Sequence, residues 1–353
     1  MKILVGLSGG VDSSVTALLL KKQGYDVIGA TMSIWGKNNN EHLGQKNSCY
    51  GPDEIEHINQ AKNFASEINI PFYVIDCREK YEKIVLENFK NEYKNARTPN
   101  PCIFCNAYIK FDALPILAKK EGIKFDKFAT GHYARIVEEN GEFLLKRGLD
   151  KKKDQSYFLY RLKKENLDKI LFPLGNYKKE EIRKIAKENC LKSAEKRDSQ
   201  DFYAGSYADL LKFKKKEGNI ILQNGEILGK HEGFWNYTIG QRKGLGIGYK
   251  EPLYVLELKK ETNEVIVGSA DETLKKSIIV KDVNWLACKP SSKTKLKAKI
   301  RSTQEPFDVT IDFIDKKIKV NFLDMQKSVA LGQSAVFYDN DTLLGGGIIS
   351  EAF

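Results

Sequence analysis

The sequence predicts an α/β domain built on a parallel sheet, then a small mixed domain, then a C-terminal β-barrel. Three observations lead there. Short apolar runs alternate with helix-period segments over the first half of the chain. Glycines and turn signals crowd residues 218–248. From about residue 275 short strands follow one another with no helical period. The implied boundaries are residues 1–203, 204–272 and 273–353. A chain of 353 residues, 41% of them hydrophobic, is long enough for this division.

Each element has its own signal. Residues 3–7 are an apolar run that stops at Ser8, Gly9 and Gly10, as a buried parallel strand does. Val11, Val15, Leu18 and Leu19 then recur at helical spacing. Residues 25–32 read as a second strand. Ile55, Ile58, Ala61, Phe64, Ala65 and Ile68 mark an amphipathic helix that Pro71 ends. Residues 72–75 are a third strand, and Tyr81, Ile84, Val85 and Phe89 mark another helix. Residues 125–130 form a fourth strand, closed by Gly131. Asn224-Gly225 is a hairpin turn candidate. Strands of the β region are expected at 295–301, 307–313, 317–322, 333–338 and 343–349.

Lys and Arg total 58 against 47 Asp and Glu, a formal charge of +11. That surplus suits a polyanionic partner, and equally suits plain solubility. Six cysteines in a chain of this length make no disulfide framework. The N-terminus shows no signal-peptide pattern, and no apolar run approaches the ~20 residues of a membrane helix. The expectation is a cytoplasmic protein with reduced thiols and no membrane partner.

Ser8-Gly9-Gly10-Val11-Asp12-Ser13 lies between a strand and a helix. Glycines let the backbone approach a phosphate, and the helix aims its free N–H groups and positive dipole end at the same place. Ser8 and Ser13 can donate hydroxyl hydrogen bonds. Asp12 can orient the loop or hold Mg²⁺. No lysine stands where the Gly-Lys-Ser/Thr nucleotide loop needs one. The pattern matches the PP-loop, a pyrophosphate cradle of enzymes that split ATP into AMP and pyrophosphate. The plainer reading is an ordinary strand-to-helix turn.

Thr98-Pro99-Asn100-Pro101-Cys102-Ile103-Phe104-Cys105-Asn106 sets two thiols at a C-x-x-C spacing after two prolines. A thiolate there is a nucleophile or sulfur carrier. Half of a zinc site and two buried thiols are the alternatives, and no second C-x-x-C supplies the rest of a zinc site.

With these motifs the chain resembles the MnmA family of tRNA-specific 2-thiouridylases over nearly its whole length. The likeness rests on residues 6–13, residues 97–106 with Ile109-Lys110-Phe111, Thr130-Gly131-His132-Tyr133, Lys153-Asp154-Gln155-Ser156-Tyr157, residues 237–244 and residues 332–336. It implies an adenine nucleotide α-hydrolase-like fold. ATP, with Mg²⁺, would bind at Gly6, Leu7, Ser8, Gly9, Gly10, Val11, Asp12 and Ser13, with Met32 and Gly131 near the adenine or ribose. The O2 of a wobble uridine in a tRNA anticodon loop would be adenylated and replaced by sulfur. Cys105 matches the family's catalytic thiol. Asn100, Pro101 and Cys102 would lie beside the base. His132, Lys153, Asp154 and Gln155 match tRNA contacts of the catalytic domain, and Arg301, Ser302 and Gln333 those of the β domain. The sulfur would come from a cysteine desulfurase or a relay protein. Read singly, His132 is a loop histidine, Lys151 to Lys153 a solvated charge run, and Arg301 a snorkelling strand residue.

The chain departs from the family twice. Many members have Asp where this chain has Cys102. Their second catalytic cysteine lies in a segment that here reads Asp198-Ser199-Gln200-Asp201-Phe202-Tyr203, so Tyr203 takes its position. A phenol carries no persulfide. Three readings follow. Cys102 and Cys105 act as a dithiol. Alternatively they hold an iron–sulfur cluster with Cys49 as third ligand, ahead of Cys190 and Cys77. In the third, the chain is a paralogue that binds tRNA without thiolating it. Another PP-loop ATP pyrophosphatase, an amide ligase or a lysidine-type tRNA synthetase, is the rival function.

Overall fold

The structure, a computed structural model, describes residues 1–36, 48–196, 202–203 and 205–353. Asp198, Ser199, Gln200 and Asp201 of the segment discussed above lie outside the described residues. The chain divides into two units. One comprises Met1–Leu86, Pro101–Ser206 and Asp341–Leu344; the other comprises Glu87–Asn100, Tyr207–Asn340 and Gly345–Phe353.

The first unit opens with β1 (Lys2–Gly6), α1 (Val11–Lys22), β2 (Asp26–Ser33), α2 (Glu54–Glu67) and β3 (Phe72–Asp76). One helical run follows as α3 (Arg78–Tyr81), a π-helical turn Glu82–Leu86 and α4 (Glu87–Lys94), the last already in the second unit. Next come α5 (Pro101–Phe104), a π-helical segment Cys105–Ala113 and α6 (Leu114–Lys120). The unit continues with β4 (Lys127–Ala129), a hairpin of β5 (Ala134–Glu139) and β6 (Glu142–Arg147), β7 (Ile170–Leu171) and α7 (Lys179–Glu188).

Its sheet has the order β3-β2-β1-β4-β7, and all four pairings are parallel. The register places Ile3 opposite both Val27 and Lys127. Ile3, Leu4 and Val5 are wholly buried because both sheet faces are covered, which explains the unbroken apolar run. Val11, Val15 and Leu18 of α1 and Phe64 and Ala65 of α2 pack into the same core. Strand order reverses at β1: β2 and β3 lie on one side, β4 and β7 on the other. That is the topological switch point, and the crevice beyond the carboxyl end of β1 is where an open α/β sheet binds its ligand.

One apolar helical stretch was not expected. Pro101–Lys120 is long and apolar enough to cross a membrane by length and composition. Half of it is buried inside the protein, as a core helix is. Ile103, Ile109, Ala113, Leu114 and Ala118 are its most deeply buried apolar side chains.

The second unit holds α4, α8 (Tyr207–Leu211) and a four-stranded sheet of order β10-β11-β8-β9. Those strands are β8 (Gly218–Leu222), β9 (Ile227–His231), β10 (Tyr254–Lys259) and β11 (Glu264–Gly268). Asn224-Gly225 is the β8–β9 turn, with Gly225 at φ +92° and its N–H donating to Leu222 O at 3.0 Å. Six more strands follow: β12 (Leu274–Trp285), β13 (Lys295–Lys299), β14 (Phe307–Ile314), β15 (Lys317–Lys327), β16 (Ser334–Asp339) and β17 (Thr342–Ala352). Their order is β12-β15-β14-β13-β16-β17, and a β12–β17 pairing closes the barrel. The inward rows, such as Leu296 and Ala298 or Val309 and Ile311, are buried, in keeping with their alternation.

Candidate active site

A cavity of about 400 Å³ opens in the first unit at the end of β1. It falls within the range of small-ligand pockets. Its floor is the glycine-rich turn. Gly9 has φ +70°, and a Cβ there would stand 2.8 Å from His57 O, so only glycine fits. Ser13 Oγ accepts the Ser8 N–H at 3.1 Å and donates to Gly10 O at 3.1 Å, which fixes the curl of the loop. Gly10 is the N-cap of α1, and among the described residues no side chain caps that end. The first-turn N–H groups of a twelve-residue helix are therefore available to an anion.

Asp12 is held, not exposed as a lone carboxylate. Lys179 Nζ donates to its two oxygens at 2.8 and 2.7 Å, and the Tyr133 hydroxyl donates to Oδ1 at 2.8 Å. Gly131 permits this, since a Cβ there would lie 2.8 Å from the Asp12 carbonyl carbon. Lys196 Nζ braces the loop from outside, donating to Gln60 Oε1 at 2.5 Å and Gly9 O at 3.4 Å. Burial pushes the Lys196 ammonium below its ordinary value. Burial, then Lys196, does the same to His57 on the cavity wall. Glu54 accepts from Ile34 N at 2.6 Å, Trp35 N at 2.8 Å and Ser33 Oγ at 2.8 Å, fixing the chain just after Met32.

The opposite wall carries His132, Lys153 and Gln155. His132 Nδ1 lies 2.7 Å from Thr130 Oγ1, and Phe111 and Phe172 flank its ring. Burial, then the charge of Lys110, holds His132 well below the ordinary histidine value, so it is neutral. Tyr133 and Gln155 are tied by two hydrogen bonds, 3.0 and 2.9 Å. Asp154 does not reach the cavity. Its carboxylate takes Arg147 Nε, Gly148 N and Ser156 N at 3.1 Å and Ser156 Oγ at 3.0 Å, which organises the loop around Lys153 and Gln155.

The thiols lie beside this cavity. Cys102 is half-buried on α5, and Cys105 is buried at the start of the π-helical segment. Residues three apart share a helical face. Burial pushes the Cys105 thiol up to about 11, against a downward pull from Lys110 and with a further push from Cys49. Cys77, also buried, is pushed up to about 12. The buried Tyr81 hydroxyl is raised first by burial and then by Cys105, Cys102 and Cys49. Cys49 lines the cavity itself. Tyr203 is buried in an aromatic cluster, its ring 6.4 Å from that of Tyr50, which stacks on Tyr81 at 5.2 Å. Cys190 and Cys288 are exposed.

Of the residues expected from sequence, Gly6, Leu7, Ser8, Gly10, Val11, Asp12, Ser13, Met32, Gly131, His132, Lys153, Gln155 and Cys49 line this one cavity. Gly9 and Asp154 support it; Pro101, Cys102 and Cys105 belong to the adjoining thiol segment. Asn100, Arg301, Ser302 and Gln333 belong to the second unit. There, Arg301 donates to Ser328 O at 2.7 Å and Ile239 O at 3.2 Å. Gln333 Nε2 donates to Pro99 O at 2.9 Å and Thr98 O at 3.1 Å. Sequence reasoning missed Lys179, Lys196 and Glu54, and gave no role to Lys110, which it named only within the motif Ile109-Lys110-Phe111. Among the described residues no three His, Cys, Asp or Glu side chains are grouped to hold a metal ion.

The chain matches three family profiles: one described as tRNA methyl transferase HUP domain over residues 1–203, one as tRNA methyl transferase PRC-barrel domain over 210–269, and one as aminomethyltransferase beta-barrel domain over 275–349. Proteins named tRNA-specific 2-thiouridylase MnmA are similar along their full length. That of Endomicrobium trichonymphae is 52% identical over 356 residues, 99% of each chain. Those of Clostridium kluyveri and Carboxydothermus hydrogenoformans are each 44% identical, covering 99% of this chain and 99% and 98% of the relatives.

Proposed function

The chain belongs to the MnmA family of tRNA-specific 2-thiouridylases, and from that premise we propose that it uses ATP to adenylate O2 of a tRNA wobble uridine and replaces the AMP with sulfur carried on Cys105. The enzyme is a tRNA sulfurtransferase. One observation carries the ATP-dependent mechanism: two lining residues of the phosphate-turn cavity are electrostatic neighbours of the Cys105 thiol. Cys49 and Lys110 line the cavity whose floor is Gly10 to Ser13, and both act electrostatically on Cys105.

The roles follow from the geometry. The N–H groups at the start of α1, with Ser8 and Ser13, cradle phosphates. Asp12, bonded to Lys179 and Tyr133, orients that helix start; a Mg²⁺ accompanying ATP would share the carboxylate with Lys179. Glu54 sets the segment after Met32 against the base or ribose. His132, neutral and bonded to Thr130, is fit to accept or donate one hydrogen bond to the uracil. The wobble base must leave its stack to enter such a pocket. Lys153, Arg301, Ser302, Gln333 and Asn100 contact the tRNA, within a division of the chain at 1–203, 204–272 and 273–353.

In the dithiol reading, Cys105 receives a sulfur as Cys105–S–SH from a cysteine desulfurase or relay. The Cys102 thiolate attacks Cys105 Sγ, a disulfide forms, and HS⁻ leaves. HS⁻ adds to C2 of the activated uridine and AMP departs with the former O2. A thiol reductant then restores the pair. Cys49, Cys102 and Cys105 are the thiols a cluster would use, but they are not grouped as metal ligands, and no step here runs through one. Nucleoside mass spectrometry of tRNA incubated with the enzyme, a persulfide, Mg²⁺ and ATP tests the reading. A 2-thiouridine that depends on ATP and on Cys105 supports it. Pyrophosphate release with no thionucleoside refutes it.

A further inference from the structure

Lys110 has no assigned part in the chemistry so far. It lines the cavity, yet among the described residues it has neither a hydrogen-bond partner nor a carboxylate. The nearby acid Asp112 is taken by Lys163 at 2.6 Å. Two other lysines of the site are bonded: Lys179 to Asp12, and Lys196 to Gln60 and Gly9.

The backbone explains how this lysine comes to its place. Residues Cys105–Ala113 are π-helical, and the Leu114 N–H bonds Ile109 O, five residues back. A π-helix closes its hydrogen bonds five residues back and winds more slowly, so residues five apart come nearer to one face than in an α-helix. In an α-helix of about 3.6 residues per turn they would diverge around the axis. Lys110 is five residues beyond Cys105. The π winding therefore brings it nearer to the face of the thiol, and π-helical turns are frequent at functional sites. Its charge acts on both Cys105 and His132.

The geometry points to Lys110 as the catalytic cation of sulfur transfer, the group that pairs with the sulfur anion as it leaves Cys105 for the cavity. The assignment rests on the function proposed above, since it presumes that sulfur passes through Cys105. The other ionisable groups that interact with Cys105, namely Cys49, Cys77 and Tyr81, are all neutral or negative, so Lys110 is the only positive charge among the described groups that act on Cys105.

The test compares Lys110→Gln, Lys110→Met and Lys110→Arg with the wild type. Iodoacetamide alkylation of Cys105 at neutral pH is followed by peptide mass spectrometry, with exposed Cys288 as internal reference. Loss of the charge is expected to slow Cys105 about tenfold relative to Cys288, and arginine to restore most of the rate. Turnover of 2-thiouridine should fall in kcat in the same order. The alkylation arm needs neither ATP nor tRNA, so it fails separately from the proposed function. An unchanged Cys105 rate in folded Lys110→Gln and Lys110→Met, judged by an unaltered Cys288 rate and thermal melt, overturns the inference. So does equal slowing by arginine.

Discussion

Removing the lysine that holds Asp12 should harm both stability and ATP binding, and a second mutation should repair only the binding. Lys179 is 9% exposed at its side chain and Asp12 29%. Taking one partner from a buried pair costs about 3–5 kcal/mol. Asp12 is partly wetted and keeps the Tyr133 hydroxyl, so Lys179→Met should cost about 2 kcal/mol. The orphaned carboxylate then stands at the helix start meant for phosphates. One charge about 6 Å from a phosphate, at an effective dielectric of about 20, is worth about 3 kcal/mol before screening. ATP affinity should therefore fall tenfold or more, and less at high salt. Asp12→Asn in the Lys179→Met background removes the charge and should recover most of that affinity. Titration calorimetry with ATP and a thermal-melt double-mutant cycle measure both effects. Equal ATP affinity in Lys179→Met and wild type, or losses that add within about 0.5 kcal/mol, would refute the coupling.

Other outcomes follow from the same geometry. Gly9→Ala forces a side chain into a left-handed residue 2.8 Å from His57 O; it should cost about 1–3 kcal/mol and abolish detectable ATP binding, read by melts with and without nucleotide. Cys105→Ala should yield no 2-thiouridine by nucleoside mass spectrometry. Burial pushes the Cys105 and Cys77 thiols up to about 11 and about 12, above the ordinary thiol value of 9.0. The folded state thus binds more protons than the unfolded chain from about pH 9 upward, and stability should fall as pH rises through that window. Cys77→Ala should flatten the fall, as followed by melts across alkaline pH.

How much of this was legible in the sequence differs by element. The buried strands showed as apolar runs because parallel strands are covered on both faces, and Ile3, Leu4 and Val5 bear that out. The phosphate turn was legible because its glycines answer a local need, the close approach at Gly9 above all. Long-range partners were not. Lys179 lies 167 residues from Asp12, and nothing at the start of α7 announces its target. The winding of Cys105–Ala113 was also hidden, since an apolar helical stretch reads alike as α or π. Strand β12 escaped because residues 274–285 mix lysines with valine and isoleucine on a wall partly open to water. The β5–β6 hairpin was hidden among charged residues. Asp154 stood in a motif with Lys153 and Gln155, but its neighbours Arg147 and Ser156 turn it inward.

The central claim, activation of the base through its own oxygen, can be traced atom by atom. A tRNA carrying ¹⁸O at O2 of the wobble uridine is incubated with ATP, Mg²⁺ and a ³⁴S-labelled persulfide, and the AMP is weighed. AMP should be heavier by one ¹⁸O for each ³⁴S that appears in 2-thiouridine. Thionucleoside formed alongside unlabelled AMP would contradict that claim.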